Sequence, residues 1–175
     1  MADRKLLNSE LGRLSPQQYR EAPESGVVVV LDNVRSAHNV GSLFRSSDAF
    51  KVDRLYLCGI CALPPSAEIH KTALGAEMTV PWEHFDRTLD AINALRGQGY
   101  RIISVEQTEH SQSLETFRKG AGERLALILG NEVSGVDQEV VDASDMCLEI
   151  PQFGAKHSLN VSVAGGIVLW KVSEK

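Results

Sequence analysis

The sequence lacks the features that mark membrane and secreted proteins. No apolar run approaches the length that spans a bilayer, and the longest ones, residues 27–31 and 125–129, are the size of strands. The N-terminus has no long apolar core of a secretory signal. Hydrophobic residues make up 43% and charged residues 23%, which is typical of a soluble globular domain. We therefore expect a cytoplasmic protein with no membrane segment.

Three widespread enzyme motifs are also missing. The chain has no G-x-x-x-x-G-K-[ST] phosphate loop, which argues against a nucleoside triphosphatase. No G-x-G-x-x-G follows the apolar run 27–31, which weakens a dinucleotide-binding interpretation. The G-x-S-x-G nucleophile elbow of the α/β hydrolases is absent as well.

Cysteine is scarce, with three residues in 175. Cys58 and Cys61 have the C-x-x-C spacing of zinc and redox sites, but the chain has no second pair to complete a zinc site. The pair runs into prolines and not into the helix of a thioredoxin-like motif. Two buried, reduced thiols at a strand end are the stronger interpretation, a metal or redox site the weaker one.

The chain also lacks an excess of positive charge. Its net charge of −5 counts against a broad electrostatic surface for RNA, because phosphate contacts need Lys and Arg. A focused basic face is compatible with an acidic protein. Arg35, Arg45 and Lys156 are candidates for such a face.

Strand-like and helix-like segments alternate along the chain. Apolar runs predict strands at 27–31, 54–58, 100–105, 125–129 and 146–150. Helical patterns predict helices at 39–50, 85–96, 137–143 and 158–172, and a segment at 8–22 that Pro16 divides. Because the strands are continuously apolar, the pattern predicts one α/β domain with a mostly parallel sheet.

Three polar, glycine-containing segments, 32–45, 130–135 and 151–160, each follow an apolar run. Ligands of open α/β sheets bind at the carboxyl ends of the strands, so the pattern predicts a site among these segments. Taken singly, the residues have ordinary structural explanations. Arg45 suits a surface ion pair with Asp48 or Glu132, and Ser158 with Asn160 suits the start of a helix.

Together the three segments resemble the motifs of the TrmH-like (SpoU) branch of the SPOUT methyltransferases. The first resembles N-x-G-x-x-x-R, with Asn39, Gly41 and Arg45. The second resembles G-x-E-x-x-G, with Gly130, Glu132 and Gly135. The third resembles I-P-x-x-G-x-x-x-S-L-N-V-S and extends from residue 150 to 162. The motifs occur in the family's order, and the resemblance covers residues 27 to about 170.

The resemblance implies a mostly parallel α/β sheet with a C-terminal trefoil knot, of the SPOUT type. It divides the chain into an N-terminal helical extension, residues 1–25, and a methyltransferase domain, residues 26–175. It implies a bent S-adenosylmethionine held largely by backbone groups, and no metal. The implied cofactor-binding residues are Leu129, Gly130, Ile150, Pro151 and Leu159. A bulky residue at Gly130 is expected to block the pocket without unfolding the chain, provided that its φ is not positive.

The implied reaction is methylation of a ribose 2′-hydroxyl of RNA. Arg45 is the expected catalytic residue, and Asn39, Glu132, Ser158 and Asn160 are expected to shape the site. The methyl donor is an activated sulfonium, so most of the remaining task is in-line positioning. A guanidinium is too weak an acid to serve readily as a base, which favours a role for Arg45 in orienting a phosphate beside the ribose.

The family works as a homodimer, which implies that the C-terminal helix lies at an interface, although its apolar residues also suit an ordinary core. Many relatives carry a separate RNA-binding domain, and about 25 residues before the first strand are too few for one. This compactness favours tRNA over rRNA slightly. Gln152 and the pair Lys156 and His157 depart from the common motif and leave the substrate open. The alternatives are a non-catalytic RNA-binding or assembly factor and an enzyme that methylates a base nitrogen.

Overall fold

The computed structural model describes residues 3–174, and Met1, Ala2 and Lys175 lie outside the described residues. The strands in this range form one parallel sheet with the order β3-β2-β1-β6-β4-β7-β5. They are β1 (Val27–Asp32), β2 (Arg54–Cys58), β3 (Trp82–Phe85), β4 (Arg101–Val105), β5 (Gln112–Ser113), β6 (Leu125–Leu129) and β7 (Met146–Glu149).

Helices cover both faces of the sheet. They are α1 (Pro16–Glu21), α2 (Ala37–Ala49), α3 (Ala67–Ala73), α4 (Ala76–Thr79), α5 (Thr88–Gly97), α6 (Gln138–Asp142) and α7 (Val161–Val172), preceded by a 3-10 turn at Asn8–Glu10. Side chains of β1 alternate between two cores because successive strand residues point to opposite faces. Val29 and Leu31 pack on the side of α2 and α7, whereas Val28 and Val30 pack on the side of α5. This double burial explains why β1 is apolar without alternation.

The predicted elements agree with most of this architecture. The predicted strands 54–58 and 125–129 match β2 and β6, and Pro16 does divide the N-terminal segment, since it opens α1. The prediction of a helix from residue 85 is wrong at its start, because Phe85 ends strand β3 and α5 begins at Thr88. The last helix begins at Val161 and not at residue 158, because Asn160 caps it.

Helix α2 lies close to α3 at Gly41, the glycine of the first motif. A Cβ at this position would collide with the Thr72 hydroxyl and the Ile69 carbonyl oxygen. Gly41 is fully buried within α2, so it serves the contact between two helices and not a turn. This contact fixes the helix that carries Asn39 and Arg45.

We expect Gly41→Ala to lower the free energy of unfolding by about 3 kcal/mol, because the added methyl group would collide with the backbone of α3, which cannot move aside without separating the two helices. Gly97→Ala is the matched control, because a Cβ there meets nothing within 4 Å. Urea unfolding of the two variants measures the difference. Equal stability of Gly41→Ala and the parent would contradict this account of the helix contact.

Within residues 3–174, no helix combines the length and apolar character needed to cross a membrane.

Candidate active site

A cavity of about 470 Å³ opens at the carboxyl ends of β6, β4 and β7. This is the edge at which ligands of parallel α/β sheets bind, and the volume suits a small-molecule ligand. The wall is formed by the loop after β4, the second motif after β6 and the third motif after β7. The cavity therefore lies where the sequence predicts a site.

Four of the five residues predicted to bind a cofactor line this cavity, namely Leu129, Gly130, Ile150 and Leu159. The fifth, Pro151, does not line it, although Ile150 and Gln152 on either side do. Ser158, Asn160 and Glu132 also belong to the wall. The structure thus brings the second and third motifs together around one space.

Gly130 lies too close to neighbouring backbone to accept a side chain. A Cβ at this position would collide with Gly135 and with the backbone nitrogen of Val136. Its φ is not positive, so the strain comes from contact and not from conformation. The expectation that a bulky residue here blocks the pocket and leaves the chain intact is therefore wrong, because it would first displace the turn of the second motif.

A line of hydrogen bonds joins the three motifs. The Glu132 carboxylate accepts from the backbone N–H of Arg35 at 3.3 Å, the N–H of Ser36 at 3.0 Å and the Asn39 Nδ2 at 3.0 Å. The Asn39 Oδ1 in turn accepts from the Asn160 Nδ2 at 3.1 Å.

Asn160 completes this line by capping α7. Its Oδ1 accepts from the backbone N–H of Ser162 at 2.9 Å, which satisfies a donor at the helix start. Asn39, Glu132 and Asn160 therefore hold α2, the second motif and α7 in one arrangement. Ser158 lines the cavity with its side chain exposed.

Arg45 lies on α2 with its side chain exposed, and it does not line the cavity. Within residues 3–174 it takes part in no ion pair. The candidate structural partners have other contacts: Glu132 is bound to the first motif, and the pKa of Asp48 is raised by burial and not lowered by Arg45. Among the described residues, the Arg45 guanidinium therefore has no ion-pair partner that would explain it structurally.

Comparison with known proteins identifies the family that these motifs resemble. The sequence model of the SpoU rRNA Methylase family matches residues 26–170, which is most of the chain. The chain belongs to the SpoU methylase family. The resemblance predicted from the three motifs is confirmed.

Individual relatives agree with this assignment. The chain is 30% identical over 172 residues to the tRNA (guanosine(18)-2'-O)-methyltransferase of Aquifex aeolicus, covering 97% of this chain and 78% of that one. It matches an AdoMet-bound rRNA methyltransferase of Sinorhizobium meliloti with a TM-score of 0.79 and 28% identity, covering 91% of this chain and 60% of that one. A structure concerning 2-OH methylation of C/U34 on tRNA matches with a TM-score of 0.73 and 26% identity, covering 82% and 91%.

The SpoU relatives differ in length from this chain. It spans 60% of the Sinorhizobium protein and 62% of a TrmH-family relative from Staphylococcus saprophyticus. The part of this chain that the family model matches, residues 26–170, contains the parallel sheet and the three motifs.

Sequence patterns missed a second polar cluster of this SpoU domain, at the end of β1. Asp32 is buried and accepts from the Thr88 hydroxyl and from the backbone N–H of Asp137 at 2.9 Å. Burial raises the pKa of Asp32, and these hydrogen bonds partly offset it. Asn33, at φ 56°, accepts from the N–H of Ile60 at 3.2 Å. The signal was available, since these are the first polar residues after a buried strand.

Both cysteines of the C-x-x-C pair are buried, Cys61 in the core on the side of α2 and α7 and Cys58 in the core on the side of α5. Cys58 ends β2, and the Cys61 thiol accepts from the Val34 N–H at 3.2 Å and donates to the Leu31 carbonyl oxygen at 3.3 Å. Burial raises the pKa of Cys61 to about 11, and it raises that of Cys58 as well. Both groups are therefore neutral thiols at pH 7, which agrees with the interpretation as buried thiols.

The pKa of Glu132 predicts how the contact between motifs depends on pH. Burial alone would raise this pKa, but the hydrogen bonds from Asn39 and from the backbone of Ser36 and Arg35 outweigh it and hold the pKa below the ordinary value. Stability from a carboxyl with a lowered pKa is present above the unfolded-state value and is lost as the pH falls through the folded-state value.

We therefore expect Glu132→Gln to destabilise the fold at pH 7 by about 1 kcal/mol, modest because the carboxylate is partly solvated. The difference from the parent should shrink as the pH falls below the ordinary glutamate pKa of about 4.3 and through the lower folded-state pKa, at which the Glu132 carboxylate becomes protonated in the folded protein. Thermal unfolding of the two proteins between pH 3 and 7 measures it. A difference that stays constant over this range would contradict the account.

Proposed function

We propose that this protein transfers a methyl group from S-adenosylmethionine to a ribose 2′-hydroxyl of RNA. One observation carries the proposal: a cavity of ligand size is walled by the second and third motifs and is tied by Glu132, Asn39 and Asn160 to α2, whose Arg45 has no ion pair within residues 3–174. The family assignment supports methyl transfer. The site supports the cavity as the place of the cofactor and Arg45 as the contact for the RNA.

The residues of the cavity suit S-adenosylmethionine. Apolar side chains of Leu129, Ile150 and Leu159 offer contact to an adenine ring and a methionine chain. The wall also carries the carboxylates of Glu106, Glu132 and Glu149, which suit a ligand with cationic groups. When bound, the cofactor supplies an activated methyl group on a sulfonium. In the Sinorhizobium relative AdoMet is the bound ligand.

Arg45 is the residue that we propose for substrate positioning. Its guanidinium is exposed and unpaired within residues 3–174, so its donors are available to a phosphate beside the target ribose. A bidentate contact fixes direction as well as distance and would hold the 2′-oxygen in line with the methyl group. The proton leaves to phosphate or water, because a guanidinium does not act as a base at ordinary pH.

We also propose that the C-terminal segment forms a trefoil knot. β7 lies inside the sheet between β4 and β5, and the third motif then passes beside the loop that follows β4. The Gln107 Nε2 donates to the His157 carbonyl oxygen at 3.2 Å across this passage. Helix α7 continues from the third motif and packs on α2. Such a path is what threading through the loop between β4 and β6 requires.

A homodimer is the proposed assembly. Val163, Ile167 and Trp170 share one face of α7 and are 50%, 37% and 59% exposed. An apolar stripe at this spacing on a helix is normally covered. Helix α2 lies beside α7, so an interface on this stripe would bring Arg45 near the partner's site.

Residues 1–25 are proposed as an extension of the domain. The cytoplasm is the proposed compartment, because buried thiols remain reduced there.

The proposed substrate is tRNA, with rRNA as the second choice. A relative and a solved structure that this chain resembles both carry names that specify tRNA, and the chain of the C/U34 structure is matched over 91% of its length. Lys156 is exposed in the third motif, next to the cavity-lining His157, and offers a phosphate contact. A non-catalytic RNA-binding factor is the alternative, and the ligand-sized cavity together with an Arg45 that has no ion pair within residues 3–174 favours the enzyme.

The decisive experiment incubates the protein with labelled S-adenosylmethionine and total RNA, and then maps the labelled nucleotide after digestion. We expect label on a ribose of tRNA, with a chelator present. Label on a base nitrogen would contradict ribose specificity. Cofactor binding by calorimetry without any labelled RNA would favour the non-catalytic alternative.

A further inference from the structure

Glu106 is a carboxylate fixed at the edge of the cavity by backbone contacts. It directly follows the last residue of β4 and lines the cavity with its neighbours Val105 and Gln107. Its Oε2 accepts from the backbone N–H of Val136 at 3.0 Å, and its Oε1 accepts from the N–H of Gln107 at 2.9 Å. The two oxygens are thus oriented by two different loops.

The second motif is shaped around this carboxylate. Gly135 has a φ of 71°, and a Cβ there would collide with the Glu106 Oε2. The last glycine of G-x-E-x-x-G therefore meets two demands, a left-handed conformation and room for a side chain from another strand. The sequence motifs assign no role to Glu106.

Glu106 differs from the other two carboxylates of the wall. None of the ion pairs within residues 3–174 involves Glu106. The Glu132 carboxylate is occupied by the first motif, and Glu149 accepts from the Ser111 hydroxyl at 2.9 Å. Each oxygen of a carboxylate accepts two hydrogen bonds, so each oxygen of Glu106 keeps one acceptor position.

Two adjacent acceptor positions on a fixed carboxylate match two adjacent hydroxyl donors. A ribose diol has this geometry, and an acidic residue near a strand end commonly accepts from ribose hydroxyls in nucleotide-binding α/β sheets. We infer that Glu106 binds the ribose hydroxyls of the cofactor's adenosine moiety. This inference rests on the proposed cofactor and is independent of whether methyl transfer to RNA takes place.

The test separates the diol from the cationic groups of the cofactor. The parent and Glu106→Gln are titrated by calorimetry with S-adenosylmethionine, S-adenosylhomocysteine and 5′-methylthioadenosine, which keeps the diol but has neither ammonium nor sulfonium. We expect the affinity for all three to fall by the same factor, about tenfold or more. A loss confined to the two ligands with an ammonium group, or to the sulfonium alone, would overturn the inference.

A deoxy ligand excludes an indirect effect through the turn at Gly135. We expect 2′-deoxy-5′-methylthioadenosine to bind the parent about tenfold more weakly than the hydroxylated ligand, and Glu106→Gln to discriminate little between the two. The same discrimination in both proteins would overturn the inference, since the substitution would then act only by disturbing the loop.

Two further variants complete the design. Glu109→Gln removes the same charge three residues away, at an exposed position outside the cavity, and should leave all affinities unchanged. Glu149→Gln tests the neighbouring carboxylate. If the affinity difference between 5′-methylthioadenosine and its 2′-deoxy form disappeared in Glu149→Gln and persisted in Glu106→Gln, Glu106 would be rejected as the ribose ligand. A parent that binds none of the ligands would overturn both this inference and the proposed cofactor. If the parent binds the cofactor but Glu106→Gln discriminates between the hydroxylated and deoxy ligands as the parent does, this inference alone would be overturned.

Discussion

Arg45→Ala is expected to lower kcat/KM for RNA methylation by about 10²–10³-fold and to leave cofactor affinity nearly unchanged. Orientation of the kind that we propose for Arg45 contributes several kcal/mol in well-organised sites, and each 1.36 kcal/mol is about a factor of ten in rate. Cofactor affinity should persist because Arg45 does not line the cavity. Turnover with an RNA that the parent methylates, and calorimetry with S-adenosylhomocysteine, measure the two effects.

The controls separate shape from charge. Arg45→Lys should recover little, because an ammonium keeps the charge but loses the planar two-pronged contact. Arg54→Ala removes a partly exposed guanidinium at the amino-terminal end of β2, away from the carboxyl ends of the strands where the cavity opens, and should keep full activity. Both Arg45 variants should melt within a few degrees of the parent, since Arg45 is exposed. Near-normal turnover of Arg45→Ala would show that another residue positions the RNA.

Much of the sheet could be predicted because burial leaves a direct mark on sequence. β1, β2 and β6 are continuous apolar runs since helices cover both of their faces, and such runs have sharp ends. β3 was missed for the opposite reason. It is an edge strand with Glu83 and His84 exposed, and its four residues have too little apolar character to stand out beside the helix that follows.

The location of the site could be predicted from the sequence, but its side-chain contacts could not. Carboxyl ends of parallel strands gather at one edge, so the meeting of the second and third motifs follows from the order of the elements. The pairing of Glu132 with Asn39 depends on side-chain directions that no spacing rule gives. The motif assigns Gly130 to cofactor binding, whereas the atoms nearest to it in the structure belong to the backbone of Gly135 and Val136. Glycine motifs record backbone approach, and sequence alone does not say which backbone approaches.

Ile167→Glu is expected to convert a dimer into a monomer and to abolish methyl transfer. In one chain the Ile167 side chain is 37% exposed, so a carboxylate there should be tolerated by the isolated domain. In a dimer closed by α7 the same carboxylate would be buried without a partner, which costs several kcal/mol at the interface. Light scattering at micromolar concentration should give the parent twice the chain mass of 19.1 kDa and the variant a single mass.

Met78→Glu is the matched control for this experiment. It also places a carboxylate at an exposed apolar position, 76% exposed on α4, and should leave the mass and the activity unchanged. A monomeric parent with full activity would contradict the proposed assembly. A monomeric Ile167→Glu that still methylates RNA would separate the two parts of the argument, because Arg45 would then act on the cofactor of its own chain. Loss of both dimer and activity, with cofactor binding retained, is the result that a site shared between two subunits requires.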